Sequence, residues 1–108
     1  MQFSEYQTKS KVTAIYPHDT AVEYVTLGLV GEAGEVANVV KKAIRDDGGV
    51  LTEDRINHLV DELGDVMWYM ARLLHHLEIP MELVLERNIE KLLSRKERGT
   101  IGGSGDDR

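Results

Sequence analysis

Two short phrases decide how this chain folds: Glu32-Ala33-Gly34-Glu35 and Glu62-Leu63-Gly64-Asp65. Each sets two carboxylates three positions apart within an apolar pattern of helical period. A helix turns by about 100° per residue, so positions i and i+3 stand about 60° apart and each pair shares a face. Between the phrases lies a break, Asp46-Asp47-Gly48-Gly49-Val50-Leu51-Thr52. With one helix ending near Arg45 and the next beginning after Thr52, the flanks fold into an antiparallel hairpin. Glu35 is then ten residues before Arg45 and Glu62 ten residues after Thr52, while Glu32 and Asp65 are each thirteen away from the same two points. The spacing predicts all four carboxylates at one level. Groups of like charge held that close resist ionising together, and a bound divalent cation is the simplest resolution.

Working outward, Ser4-Glu5-Tyr6-Gln7 reads as a capping box opening a short helix to about Ile15, which Pro17 ends. Asp19 or Thr20 caps a second helix over residues 21–45, whose apolar side is Val22, Val25, Leu29, Ala33, Val36, Val40 and Ala43. Thr52 caps a third, with Glu53 and Asp54 in its first turn, running to about Leu77. Its core side is Leu59, Leu63, Val66, Met67, Met70, Leu73, Leu74 and Leu77. Pro80 suits the first position of a fourth helix reaching Lys96. The expected organisation is an all-α four-helix bundle over residues 1–98, followed by a flexible Gly-rich tail over 99–108. The third helix carries a second apolar patch, Val60, Gly64, Trp68 and Ala71, which another subunit is expected to cover.

Composition narrows the function. The chain has 108 residues, 42% of them hydrophobic, enough for one domain. A domain this small buries only about two-thirds of its unfolded surface, so pairing between copies would help it. A net charge of −6 argues against coating nucleic acid or an anionic membrane, which needs a basic face. Without cysteine there is neither a disulfide framework nor a thiolate zinc site. Met1–Glu5 has no targeting character and no apolar run approaches membrane-spanning length, so a cytoplasmic protein is expected.

Helical geometry adds Tyr24, Gly28, Asn38 and Lys42 to the carboxylate line of the second helix, and His58, Tyr69, Arg72 and His76 to that of the third. Gly28 is expected to leave room for a ligand. An oxygen-only cluster favours Mg²⁺, or Mn²⁺, over zinc. A di-iron bundle would present Glu-x-x-His, and no Glu here has a His three residues later. The competing reading is a set of solvated carboxylates paired with Lys and Arg. Asn88, Lys91 and Arg95 form one polar stripe on the fourth helix, either a phosphate contact or a solvated face. His18 reads as a loop residue, and His75 and His76 as surface residues.

Taken together, Glu32-x-x-Glu35 followed after 26 residues by Glu62-x-x-Asp65 resembles the signature of the all-α nucleoside triphosphate pyrophosphohydrolases. The phrases Leu27–Val36, Glu62–Val66, Asn88-Ile89-Glu90-Lys91-Leu92-x-x-Arg95 and the ending Arg98–Arg108 are similar to the short MazG-like branch of bacteria and phages. One departure stands out. Many members have Glu-Glu-x-x-Glu, and Gly31 holds the first of those positions here. The resemblance implies Mg²⁺ held by Glu32, Glu35, Glu62 and Asp65, with Glu35 or Glu32 taking a proton from water. It implies a nucleoside triphosphate substrate, with Lys42, Tyr69, Asn88, Lys91 and Arg95 toward its phosphates, and a homodimer or homotetramer whose subunits share each site. The alternatives are phosphoribosyl-ATP pyrophosphohydrolase, from which the Gly-Glu-Ala-Gly-Glu phrase and the tail lean away, and a non-catalytic nucleotide-binding helical module.

Overall fold

A computed structural model describes residues 1–108. The chain is helical throughout, without strands: α1 (Phe3–Lys9), a 3-10 turn (Ser10–Thr13), α2 (Ala21–Asp46), α3 (Glu53–His76) and α4 (Met81–Glu97). No helix is long and apolar enough to cross a membrane.

The α2–α3 hairpin is the frame, and local chemistry at its turn sets it. Gly48 and Gly49 take φ of 64° and 81°, a region open to glycine. That bend returns the Asp47 and Gly49 N–H groups to the Ala43 carbonyl at 2.9 and 3.0 Å, satisfying the end of α2. Thr52 Oγ1 accepts from the Arg55 N–H at 3.3 Å and caps α3. Arg55 Nε then donates to Asp47 Oδ2 at 2.7 Å, tying the start of α3 to the end of α2.

The N-terminal segment differs from the sequence expectation. Gln2, not Ser4, precedes α1, and no side chain caps that helix. Gln7 is used elsewhere: its Nε2 donates to the Ile79 carbonyl at 2.9 Å and its Oε1 accepts from the Met81 N–H at 3.3 Å. Ser4 N–H donates to Glu82 Oε1 at 2.8 Å. The predicted capping box is thus a clasp between α1 and the start of α4. The α-helix stops at Lys9 rather than Ile15, and near that end the Gln7 carbonyl accepts from side chains, Ser10 Oγ and Arg72. The Arg72 guanidinium, only 1% exposed, donates to the Gln7 carbonyl at 2.6 Å and to Ser10 Oγ at 3.1 Å. Pro80 stands just before α4 rather than inside it.

The core is small. Tyr16, Ala21 and Val25 are buried together, with Ala14, Trp68, Tyr69 and Leu73 packed around them. This revises the reading of α3. Trp68 is covered by its own chain: Nε1 donates to Thr13 Oγ1 at 2.9 Å, and the ring sits edge-on to Tyr16 and Tyr69 at 6.1 and 5.0 Å. Ala71 is fully buried. The patch expected at a subunit contact is therefore split, with Trp68 and Ala71 inward and Val60 and Gly64 outward. Conversely Leu63, Met67, Met70 and Leu77, expected in the core, are exposed, as are Val22, Ala33 and Val40 on α2.

Within one chain the four helices do not close a bundle. The body of α2 packs on α3, whereas α4 meets the rest of the chain chiefly through α1. Leu85, Ile89, Leu92 and Leu93 of α4 stay exposed. The radius of gyration is 16.9 Å, against about 13 Å for a compact domain of this length. The tail, expected to be flexible, folds back on α4. Arg108 donates to the carbonyls of Ile101, Gly102 and Gly105, and Arg98 donates to the Arg108 carbonyl at 2.9 Å.

Candidate active site

On adjacent faces of the hairpin, one carboxylate oxygen from each of Glu32, Glu62 and Asp65 falls within 4.8 Å of the other two. Glu32 and Glu62 are half-buried and Asp65 is exposed. Burial pushes the Glu32 carboxyl above the usual carboxylate range, and the charges of Asp65 and Glu62, a hydrogen bond to Glu62 and the charge of Glu35 push it the same way. Two carboxylates in that relation need a proton or a cation between them. Glu62 is also paired with His58 Nε2 at 3.0 Å, one turn back on α3, which steadies the side chain.

Glu35 stands outside this group. The levelled four-way cluster expected from the spacing is three carboxylates with a fourth nearby. The reason is angular. Both members of the α3 pair turn to the seam, so the rotation of α2 about its own axis, and not the step of about 60° within a pair, leaves one of its members out. On α2 the member at the seam is Glu32, and Glu35 is exposed.

Tyr69 lies beside the carboxylates. A Cβ on Gly28 would fall within the Tyr69 ring, so this glycine admits the ring between α2 and α3. The room expected for a ligand at Gly28 is filled by Tyr69. Burial holds the Tyr69 phenol above its usual pKa, with the nearby Tyr24, Glu32 and Asp65 adding to it, so the hydroxyl keeps its proton and can donate. Gly28→Ala should displace the ring, costing about 1–3 kcal/mol by overpacking. Thermal unfolding of the metal-free variant checks this, and an unchanged melting temperature would contradict the packing.

One neighbour was not found by sequence reasoning. Tyr6 of α1 also has a raised phenol pKa, from burial first and then Asp65, with Arg72 opposing. Arg72, grouped by helical geometry with the carboxylate line, points its guanidinium to α1 instead. No local signal announces Tyr6, because only the folding of α1 over α3 brings it there. His76, expected at the surface, is half-buried and paired with the Tyr16 hydroxyl. Burial, then Arg72 and His18, hold it below the usual imidazole pKa.

Apart from Tyr69, the predicted phosphate residues are not gathered at the carboxylates within one chain. Lys42 is exposed on α2. Asn88 and Lys91 line an open groove on α4 with Val84 and Arg87. Lys91 Nζ reaches Asp106 Oδ1 at 3.1 Å, and Arg95 Nη2 reaches the Asp106 carbonyl at 2.7 Å and Oδ1 at 3.1 Å. Those two hydrogen-bonded cations, Lys91 first, hold the Asp106 carboxyl below its usual range.

Comparison with known proteins fits this geometry. Residues 20–100 match the profile of the MazG nucleotide pyrophosphohydrolase domain. The chain belongs to the MazG nucleotide pyrophosphohydrolase family. It is also 50% identical over 114 aligned positions to the Gene 37 protein of Mycobacterium phage L5, covering all of both chains. No solved structure matches it. The MazG match takes in both carboxylate phrases, Tyr69 and the α4 stripe, and ends before Asp106.

Proposed function

We propose that this MazG domain is a Mg²⁺-dependent nucleoside triphosphate pyrophosphohydrolase. It would convert a (d)NTP to (d)NMP and pyrophosphate in the cytoplasm, clearing unwanted nucleotides or trimming the pool. The observation that carries the reading is the convergence of Glu32, Glu62 and Asp65 across the hairpin. Hard carboxylate oxygens alone suit Mg²⁺, with Mn²⁺ as a substitute. Burial first, then the charges of Asp65 and Glu62, raise the Glu32 pKa, and a bound cation would offset those charges. Glu32, Glu62 and Asp65 would hold the ion, which when bound neutralises phosphate oxygens and acidifies a bound water.

The remaining roles fall to the chain's own groups. Glu35, exposed and outside the three-carboxylate group, is the residue free to take a proton from water. Tyr69 donates a hydrogen bond from its hydroxyl to a phosphate oxygen. Lys42, Asn88, Lys91 and Arg95 offset phosphate charge. Because α4 does not reach the carboxylates of its own chain, the α4 cations of a second copy complete each site, in a homodimer or homotetramer.

The test is pyrophosphate release from a panel of canonical and damaged nucleotides with Mg²⁺. Chromatography should show nucleoside monophosphate and pyrophosphate. Diphosphate plus orthophosphate would overturn the assignment, and no turnover of any nucleotide would leave a binding module.

A further inference from the structure

We propose that the C-terminal tail is a competitive strap: Asp106 occupies the phosphate position on Lys91 and Arg95 until a phosphate chain displaces it. This rests on the phosphate role proposed for those two residues. The Arg95 cation is buried and the anion it holds is not. Arg95 is 4% exposed, whereas the Asp106 side chain it holds is 83% exposed. An incoming anion can therefore meet Asp106 without moving the guanidinium.

The docked tail also satisfies Arg95 incompletely. Asp106 engages only Nη2, and Arg95 Nε is buried with no hydrogen-bond partner. Nε and Nη2 share one edge of the guanidinium, the edge that grips two oxygens of a phosphate side by side. Thr100 Oγ1, at the root of the tail, is likewise buried and unpartnered. Unpaired buried polar groups are costly, so the docked state is held weakly enough to yield. A triphosphate brings several charges and more acceptors where Asp106 brings one carboxylate.

The tail is built to move as one piece. Arg108 closes it internally on three carbonyls, while Gly99 at its start has φ of 69°. Release therefore breaks the Lys91 and Arg95 contacts to Asp106 and the Arg98 contact to the Arg108 carbonyl, and leaves the Arg108 clasp intact.

The experiment uses the full chain without divalent cation, so that the carboxylate centre adds no attraction. Inorganic tripolyphosphate is titrated calorimetrically, and the amides of Gly102, Gly103 and Gly105 are followed by NMR. Asp106→Asn should bind about threefold to tenfold more tightly than wild type, the scale expected for losing one charged competitor. Its tail amides should be mobile before any ligand is added, whereas those of wild type should become mobile on saturation. Equal or weaker binding by Asp106→Asn, with Lys91→Ala abolishing binding, would overturn the strap alone. Binding indifferent to both Lys91→Ala and Asp106→Asn would overturn the phosphate role of α4 and the strap with it.

Discussion

Glu32→Gln is expected to reduce Mg²⁺-dependent pyrophosphate release by about 100-fold or more, the scale seen when a group holding transition-state charge is removed. The same substitution should raise the melting temperature of the metal-free protein. Both expectations come from one fact: Glu32 is a half-buried carboxylate facing Asp65 and Glu62, and its pKa is raised. A group whose folded pKa exceeds its unfolded value stabilises the fold fully below the unfolded pKa. That stabilisation is lost as pH rises through the folded pKa. Near neutral pH the ionised side chain therefore works against folding, and glutamine removes the charge while keeping the shape. Calorimetry from the carboxylate range upward should show this pH-dependence in metal-free wild type and a smaller one in the variant. Mg²⁺ should stabilise wild type more than the variant, because it binds the native centre and not the unfolded chain. Full activity in Glu32→Gln, or equal Mg²⁺ stabilisation of both proteins, would remove this centre from the reaction.

Substitution of Glu35 gives the complementary result. Glu35→Gln should also cost activity, yet leave Mg²⁺-induced stabilisation largely intact, because Glu35 lies outside the three-carboxylate group. The two variants together separate holding the ion from taking the proton.

What could be read from the sequence was what is written locally. The hairpin was legible because Gly48-Gly49 and the Thr52 cap specify their own geometry, and the helical period of the flanks needs no partner to be seen. The acidic phrases were legible as shared faces. Which member of the α2 pair turns to the seam was not, because residue counting fixes height along a helix more firmly than rotation about it. The N-terminal segment was misread for a different reason. Ser4 and Gln7 have the right spacing for a capping box, but Ile79, Met81 and Glu82 compete for the same groups from more than seventy residues away. Trp68 was placed on the wrong partner because helix α3 is apolar on two sides, and periodicity does not say which side the chain's own 3-10 turn will cover. The tail's order depends on Arg108 and Asp106 finding carbonyls and cations beyond any local pattern.

The correction to Trp68 moves the expected subunit contact and makes it sharper. Val60, Leu63, Met67 and Met70 are all exposed, at 62%, 49%, 37% and 36%. Their spacing of three, four and three residues is that of a coiled-coil seam on α3. Gly64 and Met67 also border an apolar groove with Met1, Phe3 and Tyr6. An isolated chain would leave this stripe in water, and burying one such side chain is worth about 1.5–3 kcal/mol. The proposed homo-oligomer would bury the seam against a second copy and supply the α4 cations that the carboxylates lack. Met67→Asp should then place a charge in that contact and weaken self-association by about 100-fold, some 3 kcal/mol. Activity should fall with it, while helicity stays close to wild type because Met67 supports little within its own chain. Trp68→Glu should behave differently, melting the packing of Tyr16 and Tyr69 and reducing helicity at any concentration. Sedimentation equilibrium and circular dichroism distinguish the two. A wild-type protein that sediments as a monomer at micromolar concentration, or a Met67→Asp protein that stays assembled, would exclude this seam as the contact.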